Sequence, residues 1–269
     1  MPAVHSNQSG DYPGHTQQMP LDKFLDALDG SSRRLVVANR TEPEPFQRML
    51  ESLFEKQAVE VGDASVEAHD EDTVLLIEDD TVVATSPLSA LQDAILLVNS
   101  DLYKTGTRGL DATEVPDVIS ELTDIQFSLQ GYPASNKEKL LLILISRHIE
   151  RLAYEHGSGT LRSSFQQLSR IEDERGTREA YEQVAETDVD VHIYGQPDWT
   201  PDREFDVTMH GGYKWDFQYS WFVLFEPPAH DAEGAALLAI EAEPGEWEGF
   251  WTYDRSVIDD LATYIRQEL

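Results

Sequence analysis

The segment from residue 136 to 157, NKEKLLLILISRHIERLAYEHG, constrains the fold more than any other part of the sequence. Its six consecutive aliphatic residues, 140–145, leave no polar side on this stretch, so a helix here must be buried on nearly every side. Ser135 and Glu138 form a capping-box pattern that marks the start of this helix. We therefore predict a long central helix, surrounded by other elements of the core.

Strand-like and helix-like segments alternate along most of the first 195 residues. The run 33–39, RRLVVAN, is rich in β-branched residues and fits a buried strand, and Asp79 and Asp80 separate two further strand-like runs at a tight hairpin turn. This alternation predicts an α/β fold with a mixed sheet sandwiched by helices.

The last part of the sequence follows a different pattern. Strand-like runs succeed one another from residue 196, and a C-terminal helix starts near Ser256, which predicts an antiparallel extension of the same sheet. A separate small subdomain is the alternative. Alternation in YKWDFQYSWFVLF further predicts a strand at 213–219 that carries four aromatic residues on one face.

Acidic residues dominate the composition, with 51 Asp and Glu against 20 Lys and Arg and a formal net charge of −31. Aromatic residues make up 9% of the chain, which indicates a globular protein despite this charge. Salt at about 1 M shortens the Debye length to about 3 Å and screens such a surface, so we interpret the composition as a halophilic adaptation. It also argues against direct binding of nucleic acid, which needs a basic face.

The sequence contains no cysteine, no apolar run of membrane-spanning length and no signal-peptide pattern. These absences exclude disulfides and thiol catalysis, and they predict a cytoplasmic protein without a membrane segment. Residues 1–20 are expected to form a flexible tail, and residues 21–269 a single domain.

Common catalytic and cofactor signatures are missing as well. The chain lacks the phosphate-loop, dinucleotide-binding, nucleophile-elbow and HExxH motifs, so we assign no catalytic residue and no metal ligand, and the cofactor stays unknown.

A basic island lies between residues 137 and 178, where eight basic residues face six acidic ones. Ion pairs between residues close in sequence explain such an island, and exposed pairs of this kind contribute little to stability. The alternative is that some guanidinium groups bind a carboxylate or phosphate ligand in a cleft.

Alternation in TLRSSF predicts that Arg162 points into the protein, and the first turn of the next helix predicts the same for Arg178. Arg170 and Arg175 are expected nearer the surface. The candidate anions for the inward pair are Glu150, Glu174 and a bound ligand.

His148 shares a helical face with apolar residues at one-turn spacings. Such a histidine is usually a satisfied core residue. The alternative is that it titrates near neutral pH, or donates to a ligand, in a pocket beside Arg147 or Arg151.

Three stretches, KEKLLLILISRHIERLAYE, GTLRSSFQQLSRI and RGTREAYEQVAETDVDVHIYG, resemble the DICT sensory domain, named for its occurrence with diguanylate cyclases and two-component systems. The similar elements are Ser146 to Glu150, the Phe-Gln pair at 165 and 166, Arg178 with Tyr181, and Val189 to Tyr194. The resemblance extends more loosely upstream, covers about residues 20–195, and makes the chain similar to a stand-alone halophilic-archaeal type of the family.

The resemblance implies a sensory role in signal transduction and supplies neither an established ligand nor a catalytic residue. We expect as partner a small ligand, anionic if the arginines bind it, or a signalling protein. The candidate ligand-binding residues are His148, Arg162, Phe165, Gln166, Arg178 and Tyr181. The alternatives are an enzyme that uses His148 as general base with arginines as anion clamps, and a structural or scaffold protein.

Overall fold

A computed structural model of the chain describes residues 21–25, 33–41, 48, 51, 54, 59–103, 110, 115–130, 136–173, 175–200 and 205–269. The expected N-terminal tail, the cap at Ser135 and Glu174 lie outside these residues. No helix in the part that the structure describes is both long and apolar enough to cross a membrane.

Four strands in the first part of the chain form a small mixed sheet. They are β1 (Arg33–Ala38), β2 (Val59–Ala64), β3 (Thr73–Glu78) and β4 (Thr81–Pro87), in the order β2-β1-β3-β4. The β1–β2 pair is parallel and the other two pairs are antiparallel. Asp79 and Asp80 both have positive φ, 47° and 65°, as a two-residue type I′ turn requires, which confirms the predicted hairpin.

Seven strands form the larger sheet, in the order β5-β11-β10-β9-β6-β7-β8. They are β5 (Phe127–Gln130), β6 (Ser158–Gln167), β7 (Asp188–Gln196), β8 (Thr208–Gly211), β9 (Ser220–Glu226), β10 (Ala235–Glu243) and β11 (Glu246–Thr252). Strands β6, β7 and β8 are parallel, whereas β9, β10, β11 and β5 add antiparallel strands to them. The predicted antiparallel extension is thus part of the same sheet as β6 and β7 for β9, β10 and β11, whereas β8, which also lies within 196–269, pairs parallel with β7.

The helices with described bounds are α1 (Asp22–Leu25), α2 (Leu88–Tyr103), α3 (Asp117–Ser120), α4 (Asn136–His156), α5 (Arg170–Asp173), α6 (Arg175–Ala185), α7 (Trp215–Tyr219) and α8 (Arg255–Glu268). Helix α4 is the predicted central helix, and α8 the predicted C-terminal one. Asp254 caps α8 by accepting the backbone N–H groups of Ser256 and Val257.

Two apolar cores lie on opposite faces of the seven-stranded sheet. The first core joins that sheet to α4 and α6 and includes residues of the four-stranded sheet, such as Leu35 and Leu76. The second core lies under α8 and α1 and contains Tyr194, Phe222 and Leu261. The α/β class is confirmed, with two mixed sheets where the sequence predicted one.

The prediction of a strand at 213–219 was wrong. Residues Trp215–Tyr219 form the short helix α7, in which the rings of Trp215 and Tyr219 stack at 5.4 Å. Aromatic residues four positions apart meet on one helical face, so this spacing suits the helix.

Candidate functional site

A buried ion pair lies within helix α4, and its arginine connects α4 to α6. Glu150 is 3% exposed, and its carboxylate accepts a hydrogen bond from Arg147 Nη1 at 2.5 Å. Arg147 also donates through Nη2 to the hydroxyl of Thr177 on α6, at 3.0 Å. Burial strengthens such contacts and makes the loss of either charge expensive.

The hydroxyl group of Tyr181 extends this cluster to the sheet. Tyr181 lies on α6, is fully buried, and donates to Ser163 Oγ on β6 at 2.5 Å. Burial raises the pKa of Tyr181 well above its usual value, and the negative charge of Glu150 raises it further. The phenol therefore stays protonated, and the cluster Arg147, Glu150, Ser163, Thr177 and Tyr181, here the α4–α6–β6 network, joins three elements.

Phe165 and Gln166 lie at the end of β6, beside this network. The ring of Phe165 meets that of Tyr181 edge-on, with centroids 5.4 Å apart. Gln166 has a φ of 58°, donates to the carbonyl oxygen of Ser220 at 3.3 Å, and accepts from Arg170. The side chain of Gln166 is therefore fixed between β9 and α5.

Arg162 lies on the opposite face of the sheet. It is 6% exposed, and its guanidinium donates to Glu226 at 3.2 Å and to the hydroxyl of Tyr194 at 3.1 Å. Arg266 on α8 binds the other carboxylate oxygen of Glu226 at 2.9 Å. The inward direction matches the prediction, but the partner is Glu226, since Glu150 pairs with Arg147.

Arg178 lies at the outer end of α6 and is half-buried. It donates to Glu182 at 2.8 Å and to Glu172, and its guanidinium lies 5.7 Å from the centre of the Phe205 ring. Hydrogen bonding to Glu182 raises the pKa of Arg178 above its usual value. The predicted inward direction was wrong for Arg178, because its carboxylate partners stand on the partly exposed surface.

His148 also lies on α4 and is half-buried. Its Nε2 atom lies 2.6 Å from the hydroxyl of Tyr253, and the two rings meet edge-on at 6.0 Å. Burial, and then the charge of Arg151, lower the pKa of His148 to about 4, against the opposing effect of Glu155. At neutral pH it is therefore an uncharged imidazole whose Nε2 is already hydrogen-bonded.

The structure thus brings Phe165 and Tyr181 into contact, with Gln166 next to Phe165 in the chain, and separates the other candidates. Arg162 lies on the opposite face of the seven-stranded sheet, Arg178 lies on the partly exposed surface of α6, and His148 contacts Tyr253. No group of three or more His, Asp or Glu side chains among the described residues is placed to hold a metal ion.

Sequence reasoning missed Arg147, Ser163 and Thr177 as members of the network. A signal was available on α4, because a basic and an acidic residue three positions apart flank Ile149 within an apolar helix. Ser163 and Thr177 gave no such signal, since their roles depend on how α6 packs on β6.

Residues 117–241 match the model of the DICT family, described as "Sensory domain in DIguanylate Cyclases and Two-component system". This segment is similar to the DICT sensory domain. It contains α4, β6 and α6, and with them the whole α4–α6–β6 network. The match overlaps the resemblance seen in the sequence from 117 to 195 and continues through β9 and most of β10.

Comparison with curated proteins gives no match. Among solved structures, the chain is similar to the crystal structure of polyphosphate kinase from Porphyromonas gingivalis, with 12% identity and a TM-score of 0.36. The similarity covers 57% of this chain and 25% of the kinase, so the chain spans about a quarter of the length of that protein.

Proposed function

We propose that this chain is a sensory protein of signal transduction that binds a small ligand or a protein partner and reports the binding by a conformational change. The observation that carries the proposal is the match of residues 117–241 to a family of sensory domains. Adaptation to a salt-rich cytoplasm is part of the proposal, supported by the net charge of −31.

The α4–α6–β6 network supplies an element that such a change could act on. Arg147 links α4 to α6 through a partly buried bond to Thr177, and Tyr181 links α6 to β6 through a buried bond to Ser163. The bond between Arg147 and Thr177 is lost once α6 moves beyond hydrogen-bonding distance, so a displacement of α6 separates two discrete arrangements. We infer that binding shifts α6 relative to α4.

An anionic ligand would have to compete with protein carboxylates. Arg162 is paired with Glu226, and Arg178 with Glu172 and Glu182. Of the two, Arg178 is the more accessible, with 23% of its side chain exposed against 8% for Arg162. Surface pairs of this kind contribute only about 0–1 kcal/mol, so a ligand phosphate or carboxylate could replace one of them.

His148 argues against the enzymatic alternative. General bases work best when their pKa lies near the working pH, whereas the pKa of His148 is lowered to about 4 and its Nε2 is bound to Tyr253. We therefore propose a non-enzymatic role. A scaffold protein would share this property but would not respond to a ligand.

Native mass spectrometry of the full chain, purified at high salt, tests the proposal. We expect a retained small molecule or protein partner on the wild type and its loss in Arg178→Ala, with a stability change below about 1 kcal/mol. Arg255→Ala is the matched control, because Arg255 makes an i,i+4 pair with Asp259 at the same 2.8 Å and similar exposure. A wild type that carries nothing contradicts the proposal, and retained binding in Arg178→Ala makes Arg178 structural.

A further inference from the structure

Two histidines face each other at the edge of the seven-stranded sheet. His192 is on β7 and His210 is on the edge strand β8, and their facing nitrogens, Nδ1 and Nε2, are 2.9 Å apart. The other nitrogen of His192 lies 2.9 Å from a carboxylate oxygen of Asp190. The ring of His210 also stacks on Tyr194, with centroids 4.3 Å apart and planes within 8°.

The protons of this histidine pair can be counted from its geometry. A distance of 2.9 Å is a hydrogen bond, so exactly one proton lies between the facing nitrogens. The ionised carboxylate of Asp190 only accepts, so the outer nitrogen of His192 must carry a proton. With no net charge, His210 donates to His192. One added proton still leaves a single proton between the facing nitrogens, whichever of the two imidazoles carries the charge. Both states keep the contact.

A second added proton cannot be accommodated in the same way. Both facing nitrogens would then carry hydrogen, the hydrogen bond would be lost, and two imidazolium rings would lie with centroids 5.2 Å apart. We propose that the His192–His210 pair is a proton-operated latch, in which uptake of the second proton releases edge strand β8 from β7.

The surroundings of the pair oppose this second charge. The charged and titratable groups bonded to one another around the pair include Arg162 on β6, Asp190 and Tyr194 on β7, Glu226 on β9, Asp216 on α7, and Arg266 and Tyr264 on α8. Glu226 is already shared by Arg162 and Arg266, and Asp216 accepts from Tyr264. Asp190 is the carboxylate in direct contact with the pair, and it is largely exposed.

The direction of the pH effect follows from these neighbours. Burial, then His192, then Arg162 lower the pKa of His210 below the usual histidine value, and Asp190 offsets this only in part. The unfolded edge therefore binds more protons than the folded edge, and β8 loses stability as the pH falls below about 6.5.

Strand β8 is suited to respond. It has four residues, lies at the sheet edge, and has β7 as its paired neighbour, with Tyr194 opposite His210. Its release would expose the edge of β7 and uncover Tyr194, whose hydroxyl binds Arg162. The inference rests on the proposed sensory function only where it names the proton as a signal. The pH-dependent release of β8 needs no ligand.

Hydrogen exchange of the full chain, measured from about pH 7.5 to about pH 5 and corrected for intrinsic rates, tests the latch. We expect protection of residues 192–195 and 208–211 to fall by about tenfold relative to the central strand β10. EDTA is present throughout, so that loss of adventitious metal cannot produce the same dependence.

Substitutions identify the groups responsible. His210→Gln retains a hydrogen-bonding side chain that takes no second proton, and it should keep its protection at low pH. His148→Gln, which alters a histidine outside the pair, should lose protection as the wild type does. If His210→Gln fails to fold, His192→Gln removes the same second proton and should give the same result.

A flat pH profile in the wild type overturns the latch, as does an unchanged loss of protection in the glutamine variants. Either outcome leaves the mass-spectrometric test of the sensory function untouched. Conversely, a chain that retains no ligand or partner can still show the pH dependence, so the two failures are distinguishable.

Discussion

At the scale of single residues, the ion pair between Arg147 and Glu150 is the most demanding feature of the structure. Glu150 is 3% exposed and cannot be left without a counter-charge. Removing one member of a buried pair is much more damaging than replacing both with apolar groups. The pair lies within α4, and Arg147 connects it to α6 through its hydrogen bond to Thr177.

Glu150→Leu should destabilise the protein by about 3–5 kcal/mol, because Arg147 keeps its charge in the core. The double variant Arg147→Met, Glu150→Leu should recover most of that loss. Chemical denaturation of both variants measures the two free energies of unfolding.

Glu155→Leu is the control on the same helix, since Glu155 pairs with Arg151 in a partly exposed position and should cost less than about 1 kcal/mol. A double variant as unstable as Glu150→Leu would show that the network does not depend on charge compensation.

The lowered pKa of His148 predicts a second dependence of stability on pH. Its folded pKa of about 4 lies below the usual 6.5, so the unfolded chain binds more protons and stability falls as the pH is lowered through this window. The full shift corresponds to about 3 kcal/mol. His148→Gln should lose less stability than the wild type by about that amount, measured by urea denaturation at pH values across the window. If the free energy of unfolding falls equally with pH in both proteins, His148 is not the group responsible.

The arginines show how far residue-level prediction extends. Alternation along β6 correctly placed Arg162 in the interior. Its partner Glu226 is 64 residues further along the chain and could not be predicted, because the contact depends on the antiparallel register of β6 with β9. Arg178 finds its partners within six residues, as local pairing predicted.

At the scale of elements, the spacing of apolar residues predicted long helices and strands better than short ones. Helix α4 and strands β6 and β7 have strong patterns, and they occur where predicted within a few residues. The stretch 215–219 fits both periods, since positions four apart share a face in a strand and in a helix. Residues 215–219 pack against β6, β7 and β9, and this packing favours the helix.

Gly249 on β11 gives a prediction for element packing. A Cβ atom there would lie 2.5 Å from Phe127 Cζ and press against the carbonyl oxygen of Leu238. Gly249→Ala should therefore displace β5 and cost about 1–3 kcal/mol by denaturation.

Gly62 on β2 is the matched control, because a Cβ there meets nothing within 4 Å. Gly62→Ala should be neutral or stabilising by up to about 1 kcal/mol. Equal losses in the two variants would mean that the glycine backbone, and not the close contact, sets the effect.

At the scale of the whole molecule, the first core contains apolar residues from both sheets, among them Leu35 of β1 and Val223 of β9. The sequence predicted the α/β class but not the division into two sheets, because strand pairing is a matter of topology and not of local pattern. A single domain over 21–269 and adaptation to salt both stay predictions.

Unfolding should be one cooperative transition, because the first core links the two sheets. All five tryptophans lie between residues 199 and 251, so fluorescence reports on the larger-sheet region. Hydrogen exchange of β1 and β3 reports on the smaller sheet. We expect the same denaturant midpoint from both probes, and separate midpoints would show that the sheets unfold independently.

Hydrogen exchange of α4, α6 and β6 tests the central claim most directly, because these elements share the network that is proposed to respond. The full chain is compared as purified at high salt and after unfolding, removal of any bound molecule, and refolding. The sensory account predicts that exchange in these three elements becomes faster by about tenfold when the molecule is removed, while β10 is unchanged. Identical exchange in the two preparations would contradict it.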